Sequence, residues 1–210
     1  MKIAILGATG PTGQELVKQA LERGHQVKAV GRRPEAFEAD VTQHERFSSV
    51  KHLAGMDAVM SALGPNKDAM FDQHCTLYSD SASAMVAAMK NNGIRRLVIC
   101  SSIGTTSDDS LPWYLKIAAK GAAAFGFSGP MGDLRKAELL FESNGDSIDY
   151  TCARPPVLKM GPMTSSTIST AEEKQFAGKS MGIDRADVAR FMLDALEKQH
   201  HFGKCVAIGV

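Results

Sequence analysis

The sequence predicts an α/β domain built on a doubly wound, mostly parallel β-sheet with helices on both faces. Two observations carry this prediction: apolar strand-like runs alternate with stretches of helical periodicity, and the first helix follows a glycine-rich turn. With 210 residues, 44% of them hydrophobic, the chain can bury a sizeable core. We therefore expect a single domain over residues 1–210.

The first half of the chain alternates regularly. Lys2–Leu6 is a short aliphatic run, Pro11–Arg23 has apolar residues at helical spacing, and Gln26–Val30 is a second strand-like run. The pattern then predicts a short strand ending near Asp40-Val41, a helix around Glu45–Leu53, a strand Asp57–Ala62, a long helix from about Phe71 to Asn91 closed by Gly93, and a strand Arg96–Ser101.

The second half is less regular. The elements predicted there are a helix near Met131–Ser143, a strand Asp149–Ala153, a helix Arg185–Lys198 and a strand Cys205–Ile208. Two segments, about 103–132 and 155–169, are rich in Gly, Ser, Pro, Ala and Thr, and read as irregular. Because ligands of such sheets bind at the carboxyl ends of the strands, we expect these two segments to shape the substrate side.

Composition excludes several classes of function. Lys plus Arg total 24 and Asp plus Glu total 23, so no charge excess favours nucleic acid or a membrane, and small molecules are the expected partners. The four cysteines form no CxxC pair, and the six histidines have no ligand spacing, so we expect buried thiols and no metal site. The apolar run at the N-terminus is too short for a signal peptide, which predicts a cytoplasmic protein.

The glycine-rich turn is the strongest functional motif. Gly7, Gly10 and Gly13 follow a predicted strand and open a predicted helix, the setting that dinucleotide binding requires. The first glycine allows the tight turn, the second admits phosphate, and the third packs helix on strand. The helix N-terminus offers N–H groups to a pyrophosphate, and two hydroxyls and a proline at the first helical position support it. The two hydroxyls are those of Thr9 and Thr12, and the proline is Pro11.

The end of the second strand indicates which nicotinamide cofactor binds. An acidic side chain there would bind the ribose 2′-hydroxyl of NAD, whereas a basic one would pair with the 2′-phosphate of NADP. The sequence has Arg32 and Arg33, with Arg32 lying 19 residues after Gly13 and no acid before Glu35. NADP(H) is therefore favoured over NAD(H), the alternative being two solvated arginines on a loop.

Two further strand ends add candidate cofactor contacts. A carboxylate at Asp40, followed by Val41, can meet the adenine amino group, although an Asp in this position is often only a turn residue. Leu63 and Gly64 follow the fourth strand, where small residues let the backbone pass close to the cofactor.

Taken together, these motifs resemble the single-domain atypical short-chain dehydrogenases/reductases. This Rossmann-type group includes the biliverdin reductase B/flavin reductase type, the bacterial NADH-flavin reductase-like proteins and the NmrA-like proteins. The matching stretches span nearly the whole chain and are KIAILGATGPTG at 2–13, Gly31-Arg32, Asp40-Val41, DAVMSALG at 57–64, MVAAMKNNGIRRLVICSS at 85–102 and YTCARPP at 150–156.

The resemblance also implies the site residues near the nicotinamide. It nominates Ser102 first and Ser101 second as catalytic candidates, and Arg154, Pro155 and Pro156 as residues that border the nicotinamide and the substrate. A serine pair at a strand end is otherwise often an ordinary turn or helix cap.

One departure from the better-known enzymes of this class bears on the chemistry. Their Tyr-x-x-x-Lys acid/base pair is missing, since no tyrosine stands four residues before a lysine. Carbonyl reduction needs a positioned proton donor, whereas hydride transfer to a flavin or quinone gives a delocalised anion that can take its proton from water. The sequence thus favours flavin or quinone reduction over alcohol oxidation or epimerisation.

Two functions of different class fit these observations. The first is an NADPH-dependent reductase of a flavin, a quinone or a similar conjugated acceptor, with flavin as a substrate. The second is an NmrA-like sensor that binds NADP(H) without turnover and presents the 103–132 surface to a protein partner. Met160 and Met163 are candidates to line an adaptable acceptor pocket, and Trp113 is a candidate lid over it.

Overall fold

The computed structural model describes residues 1–30, 43–45, 53–66, 69–105, 128–172, 177–178 and 180–210. Its elements in chain order are β1 (Lys2–Leu6), α1 (Pro11–Glu22), β2 (Gln26–Val30), β3 (Gln43–Glu45), β4 (Ala58–Ser61), α2 (Leu77–Asn91), β5 (Arg96–Cys100), α3 (Ser128–Glu142), β6 (Asp149–Arg154), β7 (Val157–Lys159), β8 (Ser169–Ala171), β9 (Gly182–Asp184), α4 (Arg185–Glu197) and β10 (Lys204–Gly209). Short 3₁₀ turns occupy Ala69–Phe71 and Ile103–Thr105.

The main sheet has the order β3-β2-β1-β4-β5-β6-β10-β8. Its first seven strands pair in parallel, and β8 joins β10 antiparallel at the edge. Helices α1 and α4 pack against each other on one face, and α2 and α3 do so on the other. This is the doubly wound, mostly parallel sheet that the sequence predicts, and it explains why strands such as β4 are buried along their whole length.

Helix α2 is shorter than the sequence predicts. It begins at Leu77 instead of near Phe71, because a turn closed by Asp72 occupies the intervening stretch. The Asp133 carboxylate of α3 then accepts the Tyr78 N–H at 2.7 Å and the Ser79 N–H at 3.3 Å. A cap supplied by a distant helix therefore helps to fix where α2 starts.

Two other predicted boundaries are also wrong. The third strand is Gln43–Glu45, so Glu45 belongs to a strand and not to the start of a helix, while 46–52 lies outside the described residues. The 155–169 segment is not wholly irregular, since Val157–Lys159 forms β7 and pairs in parallel with β9. Both errors have one cause, because three-residue strands exist only through pairing with distant backbone.

Burial agrees with the predicted thiols, and it differs among the methionines. All four cysteines are free; Cys75, Cys152 and Cys205 are buried, and Cys100 is half-buried. Met60, Met85 and Met89 belong to the core, whereas Met160 and Met163 are 77% and 54% exposed.

Each helix among the described residues falls short of the length and apolar character that a bilayer span requires.

Two glycines in different backbone conformations should respond to alanine substitution with opposite changes in stability. Gly93 ends α2 with φ +66°, a left-handed conformation, whereas Gly132 lies within α3, where an added Cβ would meet none of the described atoms within 4 Å. We expect Gly93→Ala to destabilise the protein by about 1 kcal/mol and Gly132→Ala to stabilise it by about 0.5–1 kcal/mol. Urea unfolding measures both, and shifts of the same sign would contradict this assignment.

Candidate functional site

The glycine-rich turn joins β1 to α1 at the carboxyl edge of the sheet. Gly7 has φ +74°, its N–H donates to the Val30 carbonyl at 3.1 Å, and its own carbonyl accepts the Gly10 N–H at 2.9 Å. Because β2 and β3 lie on one side of β1 and β4 and β5 lie on the other, the order in which strands are added to the sheet reverses at β1. In doubly wound sheets, ligands bind in the crevice where the strand order reverses.

Steric contacts explain the three glycines. A Cβ on Gly7 would lie 2.7 Å from the Ala62 carbonyl oxygen, and a Cβ on Gly13 would lie 2.2 Å from the Gly7 carbonyl oxygen. Gly13 permits α1 to pack on the turn, the role that the sequence predicts for it. Gly7 also permits close approach to the strand end after β4, which the sequence does not predict. Gly10 is less constrained, with its nearest contact at 3.3 Å to the Gly7 oxygen.

The N-terminus of α1 is open to an anion. Gly10 is its N-cap in an extended conformation, Pro11 follows, and none of the described side chains caps the helix. The first turn contains no acidic residue, so no carboxylate of this turn neutralises the positive end of the helix dipole. Thr12 is buried here and Thr9 is half-buried. Free N–H groups at a helix start form a ready anion site, and a pyrophosphate has the matching charge.

Several predicted cofactor contacts lie near this turn, and others fall outside the described residues. Leu63 packs against the buried cluster under α2 and α3. Gly64 borders open space, because an added Cβ would meet no described atom within 4 Å. Arg32, Arg33, Asp40 and Val41 belong to the part of the chain that the structure does not describe, so their roles stay predictions.

The two serines after β5 have different surroundings. Ser101 is 6% exposed, and its hydroxyl donates to Glu138 Oε1 at 2.6 Å. Ser102 is half-buried, and its Oγ accepts the Gly104 N–H at 3.2 Å. Only Ser102 of the pair therefore presents a hydroxyl that a bound molecule could reach, whereas Ser101 is held inside the protein.

Arg154 at the end of β6 is also held inside. It is 2% exposed, and its Nε and Nη2 donate to the two Glu138 oxygens at 2.9 and 2.7 Å. Burial lowers the pKa of the Arg154 guanidinium, but the hydrogen bonds to Glu138 outweigh that effect and the net pKa lies above its ordinary value. The sequence nominates Arg154 as a lining residue; the structure directs its guanidinium to a carboxylate instead of an open cleft.

Pro155 and Pro156, which follow Arg154, connect the ends of β5 and β6. Pro155 is buried, and its carbonyl accepts the Ile103 N–H at 3.1 Å, while Pro156 is half-buried. This bond ties the turn that carries Ser102 to the residues after β6. The predicted site residues of β5 and β6 thus come together at one edge of the sheet.

Sequence reasoning missed Glu138, which contacts three of these elements. The one signal available was its position on the buried side of α3, among Leu134, Ala137 and Phe141. Asp133 is the other acid buried on this helix. A charged residue in an apolar helix face is buried only when it is paired.

The 155–169 segment is anchored by a second buried carboxylate, Asp187 of α4. Its Oδ1 accepts the Thr164 N–H at 3.1 Å, its Oδ2 accepts the Thr164 hydroxyl at 2.8 Å, and Arg190 pairs with it at 2.9 Å. Arg190 also donates to the Ser166 carbonyl. These bonds hold the segment against α4 while Met160 and Met163 remain exposed.

A narrow apolar cleft lies between the sheet and helices α2 and α3. Tyr78, Cys100, Ser61 and Leu63 are among its lining residues. Burial, with smaller contributions from neighbouring thiols and Asp133, raises the pKa of Tyr78 above its ordinary value. Burial also raises the pKa of Cys100 to about 12, so this thiol is protonated at neutral pH. Neither group is suited to donate a proton or to act as a nucleophile at neutral pH.

Comparison with known proteins identifies relatives over most of the chain. Residues 7–199 match a family model described as NAD(P)H-binding. A chloroplastic protein of Arabidopsis thaliana is 27% identical over 220 residues, covering 99% of this chain and 76% of the relative. The Bacillus subtilis protein YwnB is 32% identical over 109 residues, covering 50% of this chain and 49% of YwnB.

Solved structures share the fold. A Lactobacillus casei protein has a TM-score of 0.80 at 21% identity, covering 99% of this chain and 98% of that one. The oxidoreductase ylbE from Lactococcus lactis has a TM-score of 0.75 at 19% identity, covering 99% and 90%. A Streptococcus pneumoniae protein provisionally named an NADH-flavin reductase has a TM-score of 0.72 at 22% identity, covering 99% and 98%.

Proposed function

Because this chain belongs to the NAD(P)H-binding family, we propose that it is an NADPH-dependent reductase that transfers hydride to a flavin, a quinone or a similar conjugated acceptor. The observation that carries the proposal is the Gly7–Gly13 turn, which opens a helix that no described side chain caps, at the point where the strand order reverses. The cofactor would supply the hydride, and the protein would align donor and acceptor.

The two described tyrosines are poorly suited to donate a proton to a substrate, which favours an acceptor that needs no proton from the protein. Tyr78 is buried with a raised pKa, and Tyr150 is buried near the amino end of β6, away from the carboxyl edge. An alkoxide would need a positioned acid, whereas a reduced flavin or quinone anion is stabilised by delocalisation and can be protonated by water. Ser102, with its half-buried hydroxyl, orients the nicotinamide or the acceptor in this proposal.

The apolar side chains beyond β6 support a large, flat acceptor. Val157, Met160 and Met163 are exposed on the segment that continues directly from the Arg154–Pro156 stretch. Methionine side chains adapt to aromatic rings and contact them favourably, so this surface suits a conjugated molecule better than a small sugar or hydroxy acid.

The test is NADPH oxidation at 340 nm with FMN, riboflavin and a small quinone as acceptors, beside a calorimetric titration of NADPH. We expect turnover with at least one acceptor, and a fall of about tenfold or more in Ser102→Ala. Ser83→Ala, on the exposed side of α2, is the control and should leave the rate unchanged. Tight NADPH binding with no turnover on any acceptor would instead favour the NADP(H) sensor.

Cofactor preference gives a separate prediction. Replacing Arg32 with Asp and Arg33 with Ala should weaken NADPH binding about tenfold more than NADH binding, because a charge-assisted pair with the 2′-phosphate is lost and a repulsive carboxylate is gained. Arg95→Ala, in the exposed Arg95–Asp149 ion pair at the amino ends of β5 and β6, is the control. Equal weakening of both cofactors in calorimetry would show that these arginines do not bind the 2′-phosphate.

A further inference from the structure

We propose that Glu138 is a positioning residue for Ser102, holding the turn after β5 in place through a buried hydrogen-bond network. The inference rests on the proposed function, in which Ser102 contacts the nicotinamide or the acceptor. It adds a residue of α3 to a site otherwise formed by strand ends.

The Glu138 carboxylate is a junction of four side chains. It is 0% exposed, and its Oε1 lies 2.6 Å from Ser101 Oγ, 3.3 Å from Thr105 Oγ1 and 2.9 Å from Arg154 Nε. Its Oε2 lies 2.7 Å from Arg154 Nη2 and 3.1 Å from Arg135 Nη1. One carboxylate therefore ties the ends of β5 and β6, the 3₁₀ turn and α3 together.

These bonds enclose Ser102 on both sides along the chain. Ser101, immediately before it, is held by Glu138. After it, the Thr105 N–H donates to the Ser102 carbonyl at 3.2 Å, and the Thr105 hydroxyl lies within reach of both that carbonyl, at 3.0 Å, and Glu138. The Ser102 side chain is thus left as the partly accessible polar group between two fixed neighbours.

Stability alone does not explain why this position carries a charge. Burying a carboxylate and a guanidinium costs several kcal/mol per ion in desolvation, and an apolar pair of similar volume often packs as well or better. Packing contacts between apolar side chains are not directional, so they would not fix the conformation of the turn that carries Ser102. The hydrogen bonds among Glu138, Arg154 and the two hydroxyls are directional and do fix that conformation.

A metal site is the alternative use of this carboxylate, and the contacts argue against it. Ligand atoms of Glu138, Cys152 and Cys205 lie within 4.8 Å of one another, all three residues being buried. Both carboxylate oxygens, however, already accept hydrogen bonds from cationic and hydroxyl donors. Burial also raises the pKa of the Cys152 thiol well above its ordinary value, which disfavours the thiolate that a metal would need.

The same two strands carry a matched control at their opposite ends. Arg96 is buried at the start of β5, donates to Thr151 Oγ1 of β6 at 2.9 Å, and reaches the Ala195 and His200 carbonyls. Thr151 is 0% exposed. Thr151→Val therefore removes a buried hydroxyl from a charged network between β5 and β6, as Thr105→Val does, but within the strands, where Thr151 lies opposite Val98.

The experiment compares Ser101→Ala/Thr105→Val with Thr151→Val in the full chain, at a temperature well below unfolding. We measure hydrogen exchange of the backbone amides at positions 103 and 105, acceptor turnover and the NADPH dissociation constant. We expect the double variant to accelerate exchange of these amides about tenfold and to lower kcat about tenfold, while the NADPH dissociation constant changes less than threefold. Thr151→Val should do none of these, even where it lowers Tm.

The outcomes separate this inference from the proposed function. Turnover in the wild type, with unchanged exchange of the amides at positions 103 and 105 in the double variant, would overturn the inference and leave the reductase standing. Absence of turnover in the wild type with accelerated exchange would remove the reductase but keep Glu138 as the anchor of Ser102. Equal acceleration in Thr151→Val would reveal general loosening of the sheet and would also overturn the inference.

Discussion

Gly13→Ala is expected to lower NADPH affinity about 100-fold or more and to destabilise the fold by about 3 kcal/mol. Its Cβ would lie 2.2 Å from the Gly7 oxygen and 2.7 Å from Ala8 Cα. Both contacts are with backbone, so no side-chain rotation relieves them, and α1 must move away from the turn. The helix start then no longer points its N–H groups at the phosphate position. Calorimetry gives the affinity and urea unfolding gives the stability.

Two further alanine variants separate binding from folding. Gly10 has φ −76° and its nearest contact at 3.3 Å, so Gly10→Ala should keep stability within about 1 kcal/mol while weakening NADPH about tenfold, because the middle glycine is where phosphate approaches the backbone. Gly132→Ala, a glycine of α3 in open surroundings, should leave affinity unchanged. Wild-type affinity in both Gly13→Ala and Gly10→Ala would show that the dinucleotide binds elsewhere.

Glu138→Leu is expected to destabilise the protein by about 3–5 kcal/mol, a large fraction of a domain's total stability. The substitution leaves the Arg154 guanidinium buried, 2% exposed, with no carboxylate to pair with. The cost comes from the unpaired charge more than from lost attraction. Glu138→Leu/Arg154→Met should therefore recover most of the loss, since it removes both charges and fills similar volume.

Urea unfolding of the two variants and of Glu142→Leu tests this explanation. Glu142 lies one turn further along α3, is half-buried and contacts Arg135 at 3.4 Å. An ion pair in that environment contributes about 0–1 kcal/mol, so Glu142→Leu should change little. If the double variant were as unstable as Glu138→Leu, an unpaired charge would not be the cause. The double variant should still lose turnover, because the Ser102 turn has lost its anchor.

Some of the candidate site could be predicted from the sequence because its signals are local. Gly7 has the left-handed backbone conformation of a tight turn, Gly13 packs against backbone within six residues of it, and the apolar runs show which strands are buried on both faces. Gly93 likewise marks a helix end through its own backbone conformation. Each depends on short-range geometry that residue type alone restricts.

Other features needed the tertiary structure. The start of α2 depends on Asp133, which is 55 positions from Tyr78, and β7 exists only because β9 pairs with it. The sequence ranks Ser101 beside Ser102 and nominates Arg154 as a lining residue. The structure turns both Ser101 and Arg154 toward Glu138, 37 and 16 positions away.

By itself, the sequence determined the fold class, the strand-turn-helix dinucleotide motif and the edge of the sheet at which the site lies. Periodicity and glycine spacing encode these features within short windows of the chain. Only the tertiary structure decided which polar groups of that edge stay accessible and which are consumed in buried networks. That choice depends on desolvation, because a buried charge such as Glu138 must find partners, and the partners come from elements that meet only when the chain folds.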